Sequence, residues 1–225
     1  MKDLAALTER ITDLVLKQLS GTPDTHLHQP HPTNHRRKRA ERKISYLTEP
    51  ELEALFTAIE AGKSARDLAI FEVGYGRGLR ASEVGLIQLA HLRLEAKRIF
   101  VTRLKGGHSG EYVLSDREVK ALRGYLRKRG RDSGSLFRSR QGTITRRRLD
   151  QLMKRYGAGA NLPLEKRHFH CLRHSCATSL LSKHRQTIDK VKDILGHEDI
   201  RNTMIYAQLT NAERTRVGEE LQKAW

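Results

Sequence analysis

Cysteine is almost absent from this chain, with two residues in 225, Cys171 and Cys176. Two thiols cannot make a disulfide framework, so a small cross-linked secreted scaffold is excluded and a reducing cytoplasm is the expected setting. Long apolar runs are missing as well. No stretch approaches the roughly 18 consecutive apolar residues that span a bilayer. The first twenty residues, MKDLAALTERITDLVLKQLS, carry acids inside their apolar pattern, which does not fit a secretory signal. Acids are the third scarcity. There are 26 Asp and Glu against 43 Lys and Arg, a formal net charge of +17 and a pI near 10.3. Such a chain calls for a polyanionic partner, nucleic acid first and an anionic membrane surface second.

The charge is unevenly placed. Eleven Lys and Arg lie between Lys120 and Arg148 against the single acid Asp132, whereas Thr187–Trp225 holds six bases and seven acids. A charge serving solubility alone would be spread more evenly. With 37% apolar residues and a length of 225, the chain suits one medium domain with a core, with or without a small extension.

Along the chain, Leu4, Leu7, Ile11, Leu14, Val15 and Leu19 fall at helical spacing, so residues 1–20 read as an amphipathic helix. Residues 21–43 hold three of the five prolines, four histidines and a basic run from Arg36 to Lys43, and read as a basic linker. Thr48 and Glu51 make a capping-box pattern at the head of a helix. A helix is expected over Ala65–Tyr75 and a shorter one within LRASEVGLIQL. Arg98–Arg103 and Glu111–Leu114 read as a hairpin around LKGGHSG. Further helices are expected over Asp116–Lys128, Arg146–Tyr156, Cys171–Ser182, Thr187–Leu195, Asp199–Ala207 and Asn211–Ala224. No internal repeat is visible. The fold class is mainly α with a small antiparallel β-sheet.

The densest chemistry lies in HFHCLRHSCATSL, residues 168–180. His168, His170, Cys171, His174 and Cys176 invite a zinc reading, but they lack the paired-ligand spacing of a structural finger. Cutting a phosphodiester without a metal needs other parts. Cations, preferably forked guanidiniums, must hold the non-bridging oxygens. A nucleophile and an acid for the departing oxygen complete the set. Tyrosine is a nucleophile that forms a covalent phosphate ester. Arg80 lies where a Gly-rich turn enters a helix, and Lys105 at a hairpin tip. His170 and Arg173 share a helical face, His197 follows the helix-ending Gly196, and Tyr206 lies nine positions further on.

Four stretches place these residues together in order: GLRASEVGLIQL, RLKGG, HCLRHSCATSLL and ILGHEDIRNTMIYAQ. In them the chain resembles the tyrosine recombinases, or phage-integrase family, over about Ile44–Ala207. The resemblance implies the integrase catalytic-domain fold, here residues 44–209, and site-specific cleavage and rejoining of double-stranded DNA. Arg80 and Arg173 would clamp the scissile phosphate. Tyr206 would attack it, leaving a 3′-phosphotyrosyl bond and a free 5′-hydroxyl, and Lys105 would protonate that leaving oxygen. His170 would assist proton transfer at the tyrosine and His197 would bond a non-bridging oxygen. Because the phosphotyrosyl ester conserves the phosphodiester, neither ATP nor a metal is required and no cofactor is implied. Glu83 is expected to support the helix of Arg80, and His174 to be a structural residue beside the site.

The resemblance also implies a homo-oligomer, a tetramer, on DNA, with accessory DNA-bending proteins as further partners, no membrane, and a cytoplasmic, nucleoid-associated setting in a prokaryote, phage or mobile element. Most members carry a separate helical DNA-binding domain ahead of the catalytic one. Here 46 residues precede Leu47, which brings the chain nearer to short catalytic-domain members such as fimbrial-switch invertases. Two readings compete: a type IB topoisomerase sharing the chemistry, and a DNA-binding protein on the same fold that no longer cuts. Residues 210–225 are expected as a separate helix capped by Thr210 and Glu213. Its stripe of Val217, Leu221, Ala224 and Trp225 would pack on its own domain or dock on a neighbouring protomer.

Overall fold

The computed structural model describes residues 44–224. The N-terminal helix and basic linker expected over residues 1–43 lie outside the described residues, as does Trp225.

The capping box of Thr48 and Glu51 forms as the sequence predicts, the Thr48 N–H donating to the Glu51 carboxylate at 2.8 Å, and starts α1, Glu49–Ala61. Helix α2, Ala65–Gly76, follows and is the centre of the molecule. Ala69, Ile70, Phe71 and Val73 are all buried along it, because helices pack on it from several sides. Phe71 meets the rings of Tyr156 and Phe169 edge to face, at 5.8 and 5.5 Å between centroids. Gly74 leaves the space that the Phe169 ring fills; a Cβ there would lie 2.8 Å from its Cζ. That close approach fixes Phe169, and Phe169 precedes the helix that carries His170.

The expected helix in LRASEVGLIQL shrinks to a single turn, α3, Ala81–Val84, with Arg80 as its N-cap. A three-stranded antiparallel sheet follows: β1, Leu92–Arg93, β2, Arg98–Val101, and β3, Gly110–Val113. The expected hairpin is present with shorter strands, in the register Arg98 to Val113 and Val101 to Gly110. Ile99 and Val101 point inward and Arg98 and Phe100 outward, the period-2 pattern of a half-buried strand. Helix α4, Asp116–Arg129, starts on a second capping box, Ser115 with Glu118, and carries Arg127, Lys128 and Arg129 in its last turn, where the helix dipole favours cations. A small ribbon, β4, Arg138–Ser139, and β5, Gly142–Thr143, was not foreseen from the sequence.

Helix α5, Arg146–Gly159, buries Leu149, Leu152, Met153 and Tyr156 and leaves Arg146, Arg147, Arg148 and Lys154 exposed. Helix α6, His170–Ser182, and α7, Ile188–Leu195, complete the layer behind the site. The last helix, α8, runs unbroken from Arg201 to Ala224. The capping pattern predicts a break near Thr210 and a fresh start at Asn211. The Thr210 and Glu213 pattern does not mark a start here because the preceding turn is already helical and satisfies those backbone groups.

Candidate functional site

The site is assembled around a carboxylate that water does not reach. Glu83, 0% exposed, receives the Arg80 backbone N–H at 2.9 Å, the Arg80 guanidinium at 2.6 Å, the Arg103 guanidinium at 3.0 Å and the Leu104 N–H at 3.2 Å. Burial alone would raise its carboxyl. The Arg80 N–H, Arg103 and the remaining donors overcome that and hold it below the usual carboxylate range. The result is a fixed anion with several cations gathered on it.

Arg173 comes from α6 and is 1% exposed, donating to the Gly78 carbonyl at 2.6 Å and the Leu195 carbonyl at 2.9 Å. Burial, then the neighbouring Arg80, push its guanidinium down to about 10, still charged at neutral pH. Gly78 needs its positive φ of +53° to turn α2 toward α3, and a Cβ there would press on Leu195. His197 follows the left-handed Gly196, whose φ of +62° ends α7. Its Nδ1 shares a hydrogen bond with the Thr203 hydroxyl at 2.8 Å, which ties the first turn of α8 to the His197 turn. Burial first, then Arg173 and Arg80, push His197 down to about 3, so its ring is neutral.

Tyr206 stands on α8 and is 1% exposed. Its hydroxyl is pushed up to about 12 by burial, against the attraction of Arg173. His170 opens α6, and burial of part of its ring, followed by Arg173 and His168, lowers it to about 4. Arg80 adds to the field on His170, His197 and Tyr206 alike, so the arginine of α3 and the groups of α6, α7 and α8 share one electrostatic environment.

Of the six residues singled out in the sequence, Arg80, His170, Arg173, His197 and Tyr206 therefore converge. Lys105 is exposed in the β2–β3 turn at φ +58°. Its own backbone neighbourhood joins the cluster: the Leu104 carbonyl accepts from Arg80 at 3.3 Å, and a Cβ on Gly107 would collide with the Gly196 carbonyl. The hairpin is thereby seated on the turn that presents His197.

Two residues play larger parts than the sequence suggested. Arg103, whose side chain is fully buried, donates to Glu83, to the Arg77 carbonyl at 2.8 Å and to the Ile194 carbonyl at 2.6 Å, and lies over the Tyr112 ring. One side chain thus joins α2, α3, α7 and the hairpin. The signal was present: the inward phase of Ile99 and Val101 continues to Arg103, and a cation on an inward phase requires a buried acceptor. His174, expected to be a structural neighbour, has its Nδ1 2.8 Å from the Tyr206 hydroxyl. His170 stacks on it edge to face at 4.4 Å between centroids and makes no such contact. The cysteines pack: Cys171 donates its thiol to the Ser45 carbonyl, and burial pushes Cys171 to about 12 and Cys176 to about 11.

Among the described residues, then, a mostly helical domain gathers three arginines around one buried carboxylate, beside a buried tyrosine. The chain belongs to the phage integrase family, whose profile matches residues 45–213. It is 34% identical over 183 residues to the type 1 fimbriae regulatory protein FimB of Escherichia coli K12, covering 79% of this chain and 90% of that protein. It is 37% identical over 172 residues to the tyrosine recombinase XerC of Erythrobacter litoralis, covering 74% of this chain but 56% of that one. The crystal structure of XerA recombinase superposes with a TM-score of 0.65 at 29% identity, covering 75% of this chain and 60% of the other. The enzyme is a site-specific recombinase of the tyrosine class.

Proposed function

We propose that the cluster cuts and reseals double-stranded DNA with Arg80 and Arg173 on the non-bridging oxygens of one phosphate and Tyr206 as the nucleophile. The Tyr206 oxygen bonds to phosphorus, the bond from phosphorus to the 5′ oxygen breaks, and Lys105 supplies the proton to that oxygen. His197, neutral and held by Thr203, donates to a non-bridging oxygen as charge develops there. The Tyr206 hydroxyl gives up its proton in the same step, and His170, to which the resemblance assigns help in that transfer, stacks on His174 rather than bonding the hydroxyl itself. Attack by a second 5′-hydroxyl on the phosphotyrosyl ester reverses the step and exchanges strands. The observation that carries this reading is the convergence of Arg80, Arg173 and Arg103 on one buried carboxylate. A single negative charge fixes three positive ones, which leaves a preorganised excess of positive charge where a phosphate would lie.

DNA contacts would continue along α5. Arg146 already acts on His170, and Arg147 and Lys154 are exposed beyond it on the same helix. The sequence count overstates this surface. Arg129 is spent on the carbonyls of Ser135 and Leu136, and Arg138 on those of Asp132 and Ser133, so both brace a loop. Assembly as a homo-oligomer on DNA, with the C-terminal end of α8 docking on a neighbour, is supported by the exposed apolar side chain of Leu221 in its last turns, and Met204 and Ile205 are exposed near the start of the same helix. A site on a bacterial chromosome or mobile element, with accessory bending proteins, is the natural setting for that assembly.

The test is covalent trapping on nicked duplexes, with adducts recovered from a randomised library so that no target need be assumed. The wild type gives a protein–DNA adduct whose linkage maps to Tyr206. Tyr206→Phe binds the recovered duplex equally well and gives none. An adduct of undiminished yield from Tyr206→Phe refutes the assignment.

A further inference from the structure

The hydrogen bond between Tyr206 and His174 belongs to none of the roles above. We propose that His174 is a catalytic residue, the group that takes the Tyr206 proton as its oxygen attacks phosphorus and returns it when the strand is resealed. The proposal rests on Tyr206 being the nucleophile.

Geometry comes first. His174 Nδ1 lies 2.8 Å from the Tyr206 oxygen, within the reach required of a general base. His174 is one position beyond Arg173 on α6, so the same turn that sets the phosphate clamp sets the base. It is also one helical turn beyond His170, and the edge-to-face stack between the two rings holds the His174 ring in orientation. His170 therefore positions the base rather than contacting the nucleophile.

The polarity of the bond follows from the surroundings. Burial, then His170, His168, Arg173 and His197, push His174 down to about 3, so the ring is neutral and can accept. Burial holds the tyrosine hydroxyl at about 12, so it is protonated and can donate. With the imidazole proton on Nε2, the hydroxyl donates to Nδ1 and its proton already points at the base. In the step itself it moves to Nδ1, the oxygen lone pair forms the bond to phosphorus, and the bond to the 5′ oxygen breaks. The imidazolium left behind is the cation that this cluster disfavours when empty. A phosphate seated between Arg80 and Arg173 brings negative charge beside those same cations and raises the basicity of His174. The base is therefore weak until the phosphate is bound, which links activation of the nucleophile to occupancy of the clamp.

The experiment uses the full chain and the duplex recovered by trapping, under single-turnover conditions from pH 6 to 9. Wild type forms the Tyr206 adduct at a rate that varies with pH far less than that of His174→Ala, since the imidazole rather than hydroxide takes the proton. His174→Ala binds the duplex normally but cleaves about 10²–10⁴-fold more slowly at pH 7, the usual worth of a general base. Its rate then climbs with pH, and added imidazole restores part of it. His174→Gln fills the same space and holds the hydroxyl but takes no proton, so it stays slow. If His174→Gln cleaves at the wild-type rate, or if His174→Ala keeps a flat profile with a loss under about threefold, the proposal is overturned while the Tyr206 reading stands. A wild-type adduct that maps elsewhere than Tyr206 removes both.

Discussion

Replacing Arg103 by Met tests whether the site is held by its buried ion pair. Both side chains of the Arg103–Glu83 pair are 0% exposed, at 3.0 Å. Methionine keeps much of the volume, so the cost is electrostatic rather than a cavity. The change strips the Arg77 and Ile194 carbonyls of a donor and leaves Glu83 to Arg80 and the Leu104 N–H. Removing one partner of a buried pair costs about 3–5 kcal/mol, because the other charge stays buried without compensation. For a folded unit of this size, 1 kcal/mol shifts Tm by about 2–4 °C, so a fall of roughly 6–20 °C is expected by calorimetry. The double variant Arg103→Met with Glu83→Gln removes both charges. It should be more stable than the sum of the single losses predicts, by about 0.5–3 kcal/mol of coupling in urea melts. Cleavage by Arg103→Met should also fall at temperatures where the fold is intact, since the hairpin bearing Lys105 loses its tie to α7. A Tm change under about 2 °C, or strict additivity in the cycle, would refute the reasoning.

Gly196→Ala forces a side chain into a left-handed position where its Cβ would lie 2.7 Å from Arg103 Cγ. A loss of about 2 kcal/mol or more is expected in denaturant melts, accompanied by slower cleavage as the His197 turn shifts. Stability should also decline on acidification in two stages, read by melts between pH 8 and 3. His174 and His197 are held neutral with pKa values depressed to about 3, so their contribution is complete above the ordinary value of 6.5 and is lost as pH falls below it. Glu83, also depressed, adds a loss that begins below about 4.5; a profile flat from pH 8 to 4 would contradict the histidine stage, and no further fall between pH 4.5 and 3 the Glu83 stage. Duplex binding should weaken steeply with salt, and Arg147→Ala with Lys154→Ala should shallow the log–log slope by about two; an unchanged slope places the DNA elsewhere. Truncation after Leu209 should leave single-site gel shifts intact and reduce cooperative assembly and strand exchange, whereas full cooperativity would return the end of α8 to its own domain.

Local patterns in the sequence were enough to settle much of this protein. The capping box at Thr48, the hairpin of Arg98–Arg103 with Glu111–Leu114 and the glycine after Leu195 each act through neighbours within a few residues, so they were legible without the fold. The order of Arg80, Lys105, His170, Arg173, His197 and Tyr206 was legible for the same reason: each lies in a short stretch whose spacing is itself the signal. What needed the tertiary structure were the partnerships between distant segments. Arg103 looks like one more surface cation until Glu83, the Arg77 carbonyl and the Ile194 carbonyl are brought to it from three other elements. The basic count from Lys120 to Arg148 could not separate Arg129 and Arg138, bound to carbonyls of their own loop, from the exposed cations of α5. A capping pattern at Thr210 could not show that the helix had already begun. Spacing placed His170 and Arg173 on one face, but only the packing of α8 against α6 decided that His174, and not His170, meets the Tyr206 hydroxyl, because that contact depends on how two helices cross.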